Sequence, residues 1–314
     1  MALFSLIFFK IISILLSIIL GFCAGRLAKI GSKDIANLLF YFIAPIVFFS
    51  IPANTTLSLA SLSLAALTFF ISSSIAIFGF YFFRRYFQDN TLNMVAYSSG
   101  NANTGYFMLP IATALFDDYT LSMYMMAVVG ISIYDCSLGY YICMRSFSST
   151  KESIAKVVRM PNLNAFALGC LCSFAGIQLP DFLDDFIYNM RGAYSILGMV
   201  VVGIGVSNIT SFYVDKKFTI SLCISKFIFY PLVINCFIIL DKLFFNFFDQ
   251  SVYYALQLIA TAPIAANTIV MANLLNFSQE KVATSLLISM LIALIYIPLT
   301  CVLLFENIGH LSLA

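Results

Sequence analysis

The sequence predicts an all-α integral membrane protein. About ten transmembrane helices form a five-plus-five inverted repeat, with spans 4 and 9 broken. Three observations predict it. Of 314 residues, 62% are hydrophobic and only 10% charged, with a mean hydropathy of +1.00, whereas a soluble domain averages roughly 45–50% apolar and about 25% charged. The apolar residues run continuously over the ~20 positions a spanning helix needs, without the ~10-residue alternation of a membrane barrel. The longest polar segment, residues 145–161, falls midway, with five apolar runs on each side.

The first run, residues 3–25, lacks a leading basic region and is interrupted by Lys10. It reads as a span with a snorkelling lysine rather than a removed signal peptide. Further spans are expected over 35–53, 59–83, 92–116 and 121–144, completing a first repeat within 1–144. After the 145–161 linker, a second repeat within 162–314 holds spans over 163–179, 193–209, 218–240, 252–275 and 282–305. Ten spans of this length leave short loops and no room for a soluble domain.

Loop charge predicts the orientation. Arg26, Lys29, Lys33, Arg84, Arg85, Arg145, Lys151, Lys156, Arg159, Lys216, Lys217 and Lys281 follow odd-numbered spans. Only Arg191 and Lys242 follow even-numbered ones, together with Asp117, Asp118, Asp181, Asp184 and Asp185. Positive charge marks the cytoplasmic side, so both termini are expected to be non-cytoplasmic, in the inner or plasma membrane of a cell. Five spans per half invert the second half relative to the first. A shared tripeptide agrees: Ala102-Asn103-Thr104 in span 4 and Ala266-Asn267-Thr268 in span 9.

Those two spans are the least lipid-like. Span 4 carries Ser98-Ser99-Gly100-Asn101-Ala102-Asn103-Thr104-Gly105 and then Pro110. Span 9 carries Gln257, Thr261, Pro263, Asn267, Thr268 and Asn273. Glycine and proline weaken the helical ladder, and non-helical backbone at membrane depth must be buried in protein or face water. Paired interruptions in inverted halves point to a transporter site whose half-helix N-termini favour an anion. Plain helix packing through small and polar residues is the competing reading.

Ionisable residues inside spans are costly and mark function by default. Asp135 in span 5 is a coupling candidate, and Lys226 in span 8 could attract an anion; either could equally be a paired structural charge. The cysteines Cys23, Cys136, Cys143, Cys170, Cys172, Cys223, Cys236 and Cys301 form no Cys-x-x-Cys pair and read as packing residues. With His310 as the only histidine, neither a metal site nor a cofactor is expected. A net charge of +2 without a dense basic run points away from nucleic acid.

In span number and motif order, nearly the whole chain resembles the auxin efflux carrier family, in particular its bacterial members. The residues carrying the resemblance are Leu39-Phe40-Tyr41-Phe42-Ile43-Ala44-Pro45 in span 2, Asn103-Thr104-Gly105 with Leu109-Pro110 in span 4, Lys226 with Pro231 in span 8, and Ala262-Pro263 with Asn267 and Ala272 in span 9. Met108 stands where the family often has glycine. The resemblance implies broken spans 4 and 9 crossing at the midplane beside the substrate. It also implies a scaffold of spans 1, 2, 6 and 7, a moving bundle of the rest, and often a homodimer.

Family substrates are small organic anions, mono- or dicarboxylates, with proton or sodium coupling left open. Asn103, Thr104, Gly105, Pro110, Pro263, Asn267 and Lys226 are accordingly the expected substrate site of a secondary transporter working by alternating access. A membrane sensor of the same fold is the alternative. An intramembrane enzyme is disfavoured: Tyr134-Asp135 resembles half of an aspartyl protease signature, but Gly203-Ile204-Gly205-Val206 lacks the second acid. A channel would need a filter or charged ring, and neither is visible.

Overall fold

A computed structural model describes residues 2–54, 58–144, 159–207, 214–274 and 277–305, the side chains of 2, 60, 270, 273 and 274 aside. Most of the linker, with Arg145, Lys151 and Lys156, lies outside the described residues, as do His310 and the Asn273 side chain. Among the described residues the chain is helical, without strands.

The helices are α1 (Ala2–Leu27), α2 (Ser32–Ala53), α3 (Leu59–Phe83), α4 (Asn90–Gly100), α5 (residues 104–115) and α6 (Asp118–Met144). They continue as α7 (Pro161–Phe174), α8 (Asp184–Ser207), α9 (Lys216–Phe245), α10 (Gln250–Ala260), α11 (Asn267–Leu274) and α12 (Gln279–Phe305). Seven helical segments, those of α1, α2, α3, α6, α8, α9 and α12, are long and apolar enough to cross a membrane, as expected of a multi-pass membrane protein. The other three expected spans correspond to the pair α4 and α5, to the 14-residue α7, and to the pair α10 and α11.

Local chemistry sets the helix starts. Asp89, Asp117, Asp215 and Asp249 each accept a backbone N–H in the first turn of α4, α6, α9 and α10, satisfying donors the helix leaves free. Ser58 and Ser61 form a reciprocal capping box at α3. Three boundaries depart most from the sequence expectation. The sixth expected span stops at Phe174, because Gly176 adopts a positive φ of 67° and the Ile177 N–H bonds back to the Cys172 carbonyl at 3.0 Å. The seventh begins at Asp184, nine residues early, since Asp184 and Asp185 suit a helix N-terminus. Arg191, read above as a loop residue, therefore lies within α8; the eighth span runs on to Phe245, five residues past its expected end, and so takes in Lys242.

Three helices widen into a π turn just before a proline: 39–43 before Pro45, 104–108 before Pro110, and 225–229 before Pro231. Proline lacks an N–H, and its ring presses on the carbonyl four residues back, so the ladder widens there. The Tyr106 carbonyl, which Pro110 leaves without its usual partner, accepts the Ser195 hydroxyl of α8 at 2.5 Å.

α1 packs along α8 and α7 along α2, while α3 and α10 pack on α6. Close approach is glycine-mediated: a Cβ on Gly21 would sit 2.2 Å from the Val200 carbonyl oxygen, one on Gly203 2.0 Å from that of Ile18, and one on Gly130 of α6 2.0 Å from that of Ala65 in α3. Small residues let membrane helices approach this closely. Phe9, Leu16 and Leu303 point outward, where a bilayer would cover them, and Lys10 is exposed beside them.

Candidate functional site: a carboxylate beside two helix interruptions

α4 ends at Gly100 and helix resumes at Thr104; α10 ends at Ala260 and helix resumes at Asn267. The two interruptions touch. The Asn103 N–H donates to the Pro263 carbonyl at 3.0 Å, which gives buried non-helical backbone a partner. The Ile264 N–H bonds the Ser289 hydroxyl of α12 at 3.3 Å.

Asp135 opens a π turn in α6, facing this contact. Its carboxylate accepts the Asn101 amide at 2.6 Å, the Asn267 amide at 2.7 Å, and the Tyr97 hydroxyl. Three donors converging on one carboxylate are what a charge needs away from water. A cavity of about 290 Å³ lies alongside, bounded by Phe48 of α2, Phe166 of α7 and Tyr194 of α8 on one side, and by Tyr97, Asp135 and Asn267 on the other. A pocket of about 30 Å³ adjoins it at Asn103, Thr104 and Gly105. No lysine, arginine or histidine lines either one among the described residues. Nor do three His, Cys, Asp or Glu side chains gather as a metal site among them.

The expected site residues divide. Asn103 turns its oxygen to cap its own helix, accepting the Phe107 N–H at 3.2 Å, and its buried amide nitrogen has no partner. Thr104 is buried, and its carbonyl accepts the Tyr124 hydroxyl at 2.7 Å. Gly105 leaves room for Tyr194, whose ring would lie 3.0 Å from a Cβ there. Pro110 and Pro263 shape backbone and do not line the cavity. Asn267 lines it beside Asp135.

Lys226 stands apart, in the π turn of α9, with its ammonium on the Ser99 carbonyl at 3.0 Å. Asp135 and Lys226 do not pair: Asp135 holds the Tyr97 and Asn101 side chains, and Lys226 the Ser99 carbonyl between them in sequence.

Asn103 and Asn267 hold matching places in the shared tripeptide, but Asn101 is the partner of Asn267 on Asp135. Two asparagines two positions apart in non-helical backbone face differently, and the sequence does not say which faces which. Nor were Tyr97, Tyr106 and Tyr194 expected at the site. Two polar side chains, Tyr97 and Asn101, close together within an expected membrane span were an available signal.

No protein-family model matches this chain, and a search of curated proteins finds no match.

Proposed function

We propose that this chain is a secondary transporter for a small organic anion, working by alternating access with a proton carried on Asp135. The observation that carries the reading is the contact of two helix interruptions beside a buried carboxylate, with the Asn103 amide donor left unpartnered next to the cavity. In this reading the chain forms ten spans in two inverted five-helix halves, and spans 4 and 9 are the broken pairs α4–α5 and α10–α11. The reciprocal packing of α1 on α8 and α7 on α2 supports this, because inversion of the halves exchanges one pair for the other.

The cavity lies between α2, α7 and α8 on one side and α4, α5, α6 and α11 on the other. That suits one group rocking against the other. It extends toward Asn37 near the start of α2, Met160 before α7 and Tyr140 late in α6. By loop charge, those helix ends face the cytoplasm, so this conformation is inward-facing.

Charge explains the coupling. An anion entering an aromatic cavity that already holds a carboxylate is repelled at short range. A proton on Asp135 removes the repulsion. A neutral carboxyl is also the weaker acceptor, so the Asn101 and Asn267 amides can turn, with the Asn103 amide, toward the incoming carboxylate. Proton and anion then bind together. A second reading rests on the absence of basic side chains from the described lining: an organic amine could pair with ionised Asp135 and stack on Tyr97 and Tyr194.

Uptake into proteoliposomes distinguishes these. Labelled monocarboxylates, dicarboxylates and amines are supplied with and without an acid-outside gradient. Saturable carboxylate uptake accelerated by the gradient is expected. Carboxylate uptake indifferent to pH removes Asp135 from coupling, and uptake of amines alone replaces the anion reading.

A further inference from the structure

Lys226 lies outside the cavity, 1% exposed, and no carboxylate pairs with it among the described residues. Its ammonium meets a carbonyl oxygen and the face of a ring. The Ser99 carbonyl accepts its ammonium at 3.0 Å, and the ammonium stands 4.3 Å from the centre of the Tyr230 ring. The neighbouring Ser225 hydroxyl receives a bond from that of Ser99 at 2.9 Å, and the Tyr230 hydroxyl meets that of Ser72 at 3.0 Å.

The position has a physical meaning. α4 ends at Gly100, so the Ser99 carbonyl is among the last four that the helix cannot satisfy. The end of a helix also carries roughly half a negative charge. A buried helix end of this kind demands a positive partner. In water-filled or ion-coupled proteins, a small inorganic cation coordinated by carbonyl and hydroxyl oxygens can meet that demand. Here the partner belongs to the chain.

We infer that Lys226 is a tethered cation, occupying the place at the end of α4 where a monovalent inorganic ion would otherwise bind. The cation–π contact on Tyr230 supplies the second face that coordinating oxygens would give an ion. On the transport reading, the helix interruption needs no sodium or potassium, and Asp135 is left as the only exchangeable charge at this helix end among the described residues.

The test reads stability rather than transport, so its failure and failure of the uptake experiment are separate results. The purified full chain is melted in detergent at one ionic strength, in sodium, potassium or choline chloride. Wild type should melt at the same temperature in all three. Lys226→Ser opens a space beside the Ser99 carbonyl and adds a hydroxyl to it; it should melt about 5–10 °C lower in choline chloride and regain stability with a saturable dependence on sodium or potassium. Lys226→Gln keeps a donor for the Ser99 carbonyl and fills the space, so it should stay destabilised in every salt.

Three results overturn the inference. One is saturable stabilisation of wild type by sodium or potassium. Another is a Lys226→Ser protein that either does not respond to these ions or does not fold in their presence. The third is a Lys226→Gln protein as stable as wild type, which would show that the charge is not needed.

Discussion

Where α1 crosses α8, two helices meet through Gly21 and Gly203 with backbone against backbone, and the Ser207 hydroxyl at that contact bonds its own helix at the Ile204 carbonyl. Where the two interrupted helices meet, Tyr97, Asn101, Asn103, Asp135 and Asn267 crowd into one place. Both regions sit deep among apolar helices. The first uses only shape and dispersion, which suffices to hold helices together in lipid. The second concentrates polar groups that packing does not require and that are costly to bury. On the transport reading, adhesion belongs to the first region and function to the second, and substitutions should sort accordingly.

The largest separation is expected from Asp135→Asn. Loss of a buried charged hydrogen-bonding group corresponds to about 3 kcal/mol, or roughly a 100-fold fall in gradient-driven uptake. The amount of folded protein at the membrane should stay close to wild type, because the amide oxygen still accepts from Tyr97 and Asn101, and its NH2 can donate to Asn267 once that side chain turns its oxygen inward. Unchanged pH dependence of uptake in this variant would remove Asp135 from the mechanism.

Asn103→Ala and Asn267→Ala come next, each lowering uptake by about 10-fold or more without loss of folded protein. Wild-type transport by either variant would sink its assignment.

Gly203→Leu tests the other region. Its side chain would meet the backbone of α1, which cannot move aside, so the yield of monodisperse protein on size exclusion should collapse. Gly192→Ala on the same helix meets nothing within 4 Å and should change stability by less than ~0.5 kcal/mol. If Gly203→Leu folds normally but fails to transport, the division between the two regions is wrong.

The smallest effect belongs to the periphery. Asp215 caps α9 and pairs with Lys281 at 3.0 Å. Partial burial alone would raise its pKa, but the Phe218 amide and Lys281 together hold it below the ordinary carboxylate value. Its contribution is present above the unfolded value of about 3.9 and is lost as pH falls through the folded one. Asp215→Asn keeps the cap and removes the charge. It should cost about 0.5 kcal/mol at neutral pH and nothing at low pH, as read from melting curves across pH.

Much of the fold was legible because lipid imposes a simple rule on sequence. Long apolar runs had to be helices, and most observed helices fall within a few residues of those runs. The weak points of spans 4 and 9 were legible too, since glycine, proline and asparagine clusters are costly in lipid without a reason. The start of α8 was misjudged because Asp184, Asp185 and Arg191 read as loop charges, while in the structure they suit a helix N-terminus and its first turns. In the candidate site, Asp135 stood out as a charge in an apolar run, but its partners did not, because they come from 34 to 132 residues away.

By itself, the sequence determined a helical, multi-pass membrane protein, the places where its helices falter, and the two charges that lipid alone would not tolerate. Composition and hydropathy suffice for this because each span answers to the bilayer independently of the others. Only the tertiary structure decided that Asn101 rather than Asn103 joins Asn267 on Asp135, and that Lys226 turns from the cavity to the end of α4. Those choices depend on which faces of distant helices meet and on the direction of a few residues of irregular backbone, and no local pattern along the chain encodes either.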